Sequence, residues 1–263
     1  MTSTDQARFL VFPTAADMSV AAAAAIVSLI NQTVAETGLF ALALSGGSTP
    51  QRLYRHLAES YARHLPWEQI HLFWGDERCV PPMHPDSNFR MAFDALISCV
   101  RIPYENVHRI SGENVTNPEK AAAAAAAYEH ALLRFAHDYG RGPALSFDLL
   151  LLGMGEDGHT ASLFPGSIAL AETRHWVTAV EAPASYSVRN RITLTLPLIN
   201  QAQRVFLLAT GAAKRPLVQM IQQDPDQAAQ RYPVARVKPV HPPTWFLDEE
   251  AAPLTIAVPH DPI

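Results

Sequence analysis

The chain is short of positive charge and of cysteine, and each shortage removes a class of function. Twenty Lys and Arg stand against 25 Asp and Glu, a formal charge of −5. No basic excess is therefore present to hold nucleic acid or an anionic bilayer. An anionic small molecule has to be gripped by local cations, because the molecule as a whole does not steer it in. The two cysteines, Cys79 and Cys99, lack metal-ligand or redox spacing and read as free thiols in a reducing cytosol. No two-histidine helical pair or cysteine–histidine cluster appears, so neither a metal nor a cofactor is expected. Met1 to Gln6 lacks the layout of a signal peptide, and no apolar run approaches the roughly 20 residues of a bilayer span. These absences predict a cytoplasmic protein without nucleic-acid or membrane partners, a monomer or weak homodimer.

Familiar catalytic signatures are missing too. The glycine and lysine spacing of a Walker loop or a dinucleotide fingerprint is absent, as is the glycine-x-serine-x-glycine elbow of serine hydrolases. What remains is a 263-residue chain, 48% hydrophobic and 17% charged, ordinary for a soluble fold. Helical and strand signals alternate along it without a flexible linker, which predicts one domain over 1–263. The expected class is α/β with a mainly parallel sheet.

Thr14 is placed to cap a helix from Asp17 to about Glu36 that ends at Gly38. Its buried stripe reads Val20, Ala23, Ile26, Val27, Ile30 and Val34. A strand over Leu39 to Leu44 leads through Ser45-Gly46-Gly47-Ser48 to a helix with Thr49 as cap and Pro50 first. Ile70 to Trp74 is the next strand, and a helix starts near Asp86 or Ser87. Val107 to Ile110 reads as a short strand, and Asn117-Pro118 opens an alanine-rich helix. Phe147 to Leu152 is a solid apolar run, the mark of a strand buried on both faces. Trp176 to Val180, Arg191 to Leu196 and Arg204 to Thr210 follow as strands, and a helix runs from Lys214 to Gln223. The tail from Pro225 reads as irregular, apart from a short strand around Trp245 to Leu247.

The chemistry gathers in the turns. Gly153-Met154-Gly155-Glu156-Asp157-Gly158-His159-Thr160-Ala161-Ser162 follows the apolar run. The C-terminal ends of such strands are where open α/β sheets bind ligands. An imidazole there is a natural general base for activating water, and Asp157 is close enough in sequence to hold its tautomer. In Ser45 to Pro50, glycines permit close backbone approach and a helix N-terminus favours an anion. Gly75-Asp76-Glu77-Arg78 ends another strand, with Asp76 able to orient a hydroxyl and Arg78 able to grip phosphate. Arg191 and Lys214 are further cations whose spacing alone reads equally as exposed bases. Cys79 beside Arg78 reads as a structural thiol, and Trp67, Trp74, Phe89 and Phe93 as core.

Taken in order, these motifs resemble the 6-phosphogluconolactonases of the wider glucosamine-6-phosphate isomerase/deaminase-like superfamily. They are Leu44 to Pro50, Trp74 to Arg78 with Asp86-Ser87-Asn88, Gly153 to Gly166, Arg191 to Thr195 and Gly211 to Lys214. The resemblance implies a Rossmann-like three-layer α/β/α fold and hydrolysis of a small-molecule sugar-phosphate lactone. It implies His159 as general base, with Asp157 and Asp76 as polar groups around it or the sugar ring. It makes Ser45, Gly46, Gly47, Ser48, Arg78, Arg191 and Lys214 the phosphate and substrate shell. Phe164 stands where the deaminases of that superfamily place a glutamate, which counts against a deaminase. A sugar-phosphate sensing domain is the other rival, and the chain before Thr14 has no room for a DNA-binding segment.

Overall fold

The structure, a computed structural model, describes residues 7–142 and 145–254. The segment Met1 to Gln6, read above for a leader, lies outside the described residues. Among those described the strands are β1 Arg8–Phe12, β2 Phe40–Leu44, β3 Ile70–Trp74, β4 Asp76–Arg78, β5 Leu149–Gly153, β6 Val177–Glu181, β7 Asn190–Leu194, β8 Val205–Ala209 and β9 Thr244–Asp248. The helices are α1 Ala15–Thr37, α2 Ser48–Tyr61, α3 Asn88–Ala95, α4 Pro118–Asp138, α5 Leu196–Ile199, α6 Arg215–Gln223 and α7 Pro225–Arg231.

Six strands form one sheet in the order β1-β9-β8-β5-β2-β3, every neighbouring pair parallel. β2, β3 and β8 are buried along their whole length and β5 over Leu149–Leu152, which is why these strands read as unbroken apolar runs rather than alternating ones. Helices pack on both faces, giving the three-layer α/β/α arrangement that the resemblance implies. From β2 the chain steps outward to β3, then crosses to β5 on the other side of β2. The order reverses there, so the loops after β2 and β5 splay apart at their C-terminal ends, the position where such sheets open a ligand crevice.

Local chemistry explains most boundaries. The Thr14 side chain accepts from the Asp17 N–H at 3.2 Å, and Gly38 closes α1 at φ 82°. The buried stripe runs through Met18, Ala22, Ala23, Ile26 and Ile30; Val20, assigned to it from sequence, is 48% exposed. α1 is also long and apolar enough to cross a bilayer by length and composition, contrary to the sequence reading. Its apolar stripe packs on β9, β1, β2 and α2.

Four further expectations change. α2 starts at Ser48 rather than Pro50, with Gly47 at φ 104° in the cap position; the Thr49 hydroxyl instead meets Thr210 Oγ1 at 2.9 Å. Val107 contributes only an isolated bridge to Leu72. Asp76–Arg78 does not end a strand of the main sheet but forms β4 of a second, antiparallel sheet ordered β4-β7-β6. The tail holds α7, opened by Pro225 in the first turn and by the Asp224 side chain accepting from the Gln227 N–H.

Candidate active site

The glycine-rich turns after β2 and β5 converge with the end of β8 and the second sheet around a cavity of about 280 Å³. Ser45, Gly46, Gly47, Ser48, Asp76, Arg78, His159, Arg191 and Lys214 all line it. Asp157 lines an adjoining depression that shares His159, Tyr186 and Lys214 with the cavity. Motifs spread over 170 residues of sequence thus meet in one place.

The turn after β5 is shaped around its histidine. Gly155 N–H donates to the His159 carbonyl at 2.9 Å, and a Cβ on Gly155 would lie 2.0 Å from His159 Nδ1. Gly158 has φ 80° and faces Tyr232 so closely that a Cβ would fall 2.5 Å from its ring. Gly155 is therefore dictated by contact, and Gly158 by contact and by its left-handed backbone. His159 Nδ1 lies 2.6 Å from Asp157 Oδ1, which also accepts the His159 N–H at 3.1 Å. Burial pushes the Asp157 carboxyl up, but the side-chain and backbone hydrogen bonds from His159 outweigh it and hold it below its usual value. The group is then an ionised acceptor that orients the ring through an Nδ1 hydrogen, which makes Nε2 the acceptor nitrogen of the neutral tautomer. Phe164 is 2% exposed, its ring centroid 4.8 Å from that of His159.

Asp76 is buried, and each of its carboxylate oxygens accepts a hydrogen bond. Its Oδ2 accepts from Ser162 Oγ at 2.6 Å and its Oδ1 from Asn88 Nδ2 at 3.2 Å, while the same amide donates to the Asp76 carbonyl at 2.9 Å. Asn88 is in turn placed by Glu77, whose carboxylate accepts the backbone N–H groups of Arg78, Asn88 and Phe89 and the Ser87 hydroxyl. Burial raises the Glu77 carboxyl despite those four bonds. The carboxylate sits at the N-terminus of α3, where the helix dipole favours it.

The cations face one another. Arg78 and Arg191 are paired in register across β4 and β7. Arg78 donates to the Asp86 carbonyl at 2.7 Å and Arg191 to the Val188 carbonyl at 2.9 Å, while Arg78 Nε is buried without a partner. Burial, reinforced by Arg78, lowers Arg191, and burial lowers Lys214 against the pull of Glu156 and Asp157. An anion entering the cavity would relieve both costs. Opposite them Ser45 is fixed by Tyr54, whose hydroxyl accepts the Ser45 N–H and donates to its carbonyl, both at 2.9 Å.

Sequence reasoning missed Asn88, Tyr186 and Thr210 as cavity residues, and with them the contact between Thr49 and Thr210. Asn88 stands inside one of the quoted motifs, so its place there was a usable signal; Tyr186 lies in none. Cys79, beside Arg78, is pushed up to about 11 by burial, with Glu77 adding to the shift, which fits the structural-thiol reading. Trp67 and Trp74 are buried as expected, and Phe89 and Phe93 pack together at 6.0 Å.

The family described as glucosamine-6-phosphate isomerases/6-phosphogluconolactonase matches residues 13–246. A 6-phosphogluconolactonase of Nostoc sp. is 42% identical over 228 residues, 86% of this chain and 89% of its own length. That of Haemophilus influenzae is 39% identical over 213 residues, 80% of this chain and 85% of its own length. The structure of 6-phosphogluconolactonase from Trypanosoma cruzi superposes with a TM-score of 0.84 at 31% identity, covering 96% of this chain and 98% of the other. A monomeric glucosamine-6-phosphate deaminase, 20% identical with a TM-score of 0.75 over 93% of this chain and 98% of its own, shares the fold.

Proposed function

The chain belongs to the glucosamine-6-phosphate isomerase/6-phosphogluconolactonase family, and from that membership we propose that it is a 6-phosphogluconolactonase. It hydrolyses 6-phospho-D-glucono-1,5-lactone to 6-phospho-D-gluconate, the lactone step of the oxidative pentose phosphate route. The observation that carries the reading is the pairing, in one cavity, of an oriented imidazole with two in-register arginines and a lysine.

In this reading the phosphate is held by cations among Arg78, Arg191 and Lys214 and by the turn Ser45 to Ser48, which opens α2, where the first helical N–H groups have no partner within the helix. Fixing the phosphate makes attack on the lactone effectively intramolecular. Nε2 of His159 takes a proton as a water oxygen bonds to C1, and a tetrahedral oxyanion forms. Its collapse breaks the bond from C1 to the ring oxygen, which takes the proton from the imidazolium and becomes the C5 hydroxyl. The new carboxylic acid then ionises. Asp157 keeps the tautomer in place and offsets the transient imidazolium charge. Asp76, already holding Ser162 and Asn88, orients the sugar hydroxyls with its remaining lone pairs in this reading.

Phe164 favours this reading over deamination, because an apolar ring packs against His159 where an acid would be needed. The test is hydrolysis of freshly generated lactone, measured above its spontaneous rate, with His159→Ala as control. Ammonia release from glucosamine 6-phosphate without lactone turnover would overturn the reading.

A further inference from the structure

The connection between β6 and β7 (182–189) is mostly exposed, yet one of its side chains turns inward. Tyr186 lines both the cavity and the adjoining depression, as His159 and Lys214 do. Its backbone is set by a built turn: Tyr186 N–H donates to the Pro183 carbonyl at 3.0 Å, and Ala182 N–H to the Arg189 carbonyl at 2.8 Å.

The ring touches one member of each half of the site. Arg191 Cζ lies 5.3 Å from the ring centroid, over its face. The His159 ring is met edge to face, at 5.9 Å and 85°, and Phe164 packs alongside at 5.3 Å. The hydroxyl adds little to this. It lies 3.4 Å from His159 Nδ1, a long contact to an atom already engaged by Asp157 at 2.6 Å. A face-on guanidinium is attracted by the ring quadrupole, and an edge-on imidazole is a favoured aromatic geometry. Both interactions belong to the ring and neither needs the oxygen. Arg191 is held twice by this one connection, by the Tyr186 face and by the Val188 carbonyl.

We propose that Tyr186 is a positioning residue whose ring sets the distance between the general base and the phosphate-holding arginine, and so tunes the site for an anionic lactone. The proposal rests on the lactonase reading, with the ring acting through His159 and Arg191 rather than on the substrate.

The test separates the ring from its hydroxyl. Tyr186→Phe keeps the ring and should leave kcat and KM within about twofold of wild type, since the hydroxyl contact is long. Tyr186→Leu keeps apolar bulk without a π face. It should raise KM for the phosphorylated lactone by about fivefold or more, the scale of a partly desolvated cation–π contact. KM for the unphosphorylated lactone should stay unchanged. The low-field proton NMR signal of the His159 Nδ1–H should persist in wild type and Tyr186→Phe and broaden in Tyr186→Leu, where water reaches it. Tyr186→Gln repeats the comparison should the leucine variant fold poorly. Equal behaviour of the Phe and Leu variants, or a Phe variant as impaired as Leu, overturns the proposal. A wild-type protein that leaves fresh lactone at its spontaneous rate refutes the lactonase reading instead, while the proton signal still reports on the ring.

Discussion

Arg78 and Arg191 stand directly opposite each other in the antiparallel pair of β4 and β7, and Arg191 is 6% exposed. Like charges in that position destabilise a ladder, and burial together with Arg78 lowers Arg191. An anion between them should therefore stabilise the fold. Inorganic phosphate at about 100 times its Kd adds about 2.7 kcal/mol, a rise of roughly 5–10 °C in Tm for a chain of this size. Scanning fluorimetry in phosphate against chloride at equal ionic strength measures it, and Arg191→Ala should remove most of the rise. An equal rise in the variant would place the anion elsewhere.

The bond of 2.6 Å between Asp157 and His159 couples the two side chains, and the proposed mechanism uses them as a unit. His159→Ala should lower kcat by about 10²-fold or more, the usual worth of a positioned base. Asp157→Asn should lower it by about tenfold or more, because an amide no longer fixes the tautomer. Groups that act together are not additive. The double variant should thus be no slower than His159→Ala alone, and steady-state rates on fresh lactone decide it. A double variant slower by the product of the two effects would show independent roles.

How far the sequence reaches follows from which residues act locally. The turns Ser45 to Pro50 and Gly153 to Gly166 were legible because glycine, acid and histidine lie within a few positions, and the parallel strands because burial on both faces leaves an apolar run. β4 was misplaced because Asp76–Arg78 pairs with Asn190–Leu194, more than 100 residues away; no local pattern announces that. α7 was passed over because Pro225 reads as a breaker, although proline is at home in a helix's first turn after a capping Asp224. Tyr186 was invisible for the first reason: it matters only because Arg191 and His159 arrive beside it.

Gly46 is required by a neighbour. A Cβ there would lie 2.0 Å from Asn88 Oδ1, and Asn88 is tied to Asp76 through both its carbonyl and its carboxylate. Gly46→Ala should therefore cost about 1–3 kcal/mol, the range for overpacking, and lower turnover by releasing Asp76. Adding Asn88→Ala should recover part of the stability but not the turnover. Thermal melts and kcat of the single and double variants measure both, and recovery of neither would mean the clash lies elsewhere.

Acid stability should be governed by a pair outside the cavity. His71 Nδ1 and His108 Nε2 are 3.1 Å apart, their rings stacked at 5.4 Å among Phe73, Phe135 and Tyr139. Burial lowers both to about 4, Arg141 adding to the shift at His71 and His71 to that at His108. That arginine is itself held by Asp148, with 2.8 Å bonds to both carboxylate oxygens. Folded imidazoles with depressed values bind fewer protons than unfolded ones at 6.5, so stability falls as pH drops from about 6.5 to about 4. Carboxyls held below their usual 4.5 and 3.8, Glu113, Glu172 and Asp157, contribute only at the acid end of that window. Glu77, raised by burial, works against the fall because it binds its proton more readily folded than unfolded. The slope between pH 6.5 and 5 should therefore belong mainly to the histidine pair. Tm measured at half-unit intervals should fall with pH in wild type and fall less steeply in His108→Phe, which keeps the stack on Phe73 without a titrating ring. An unchanged slope in that variant would assign the acid sensitivity to other groups.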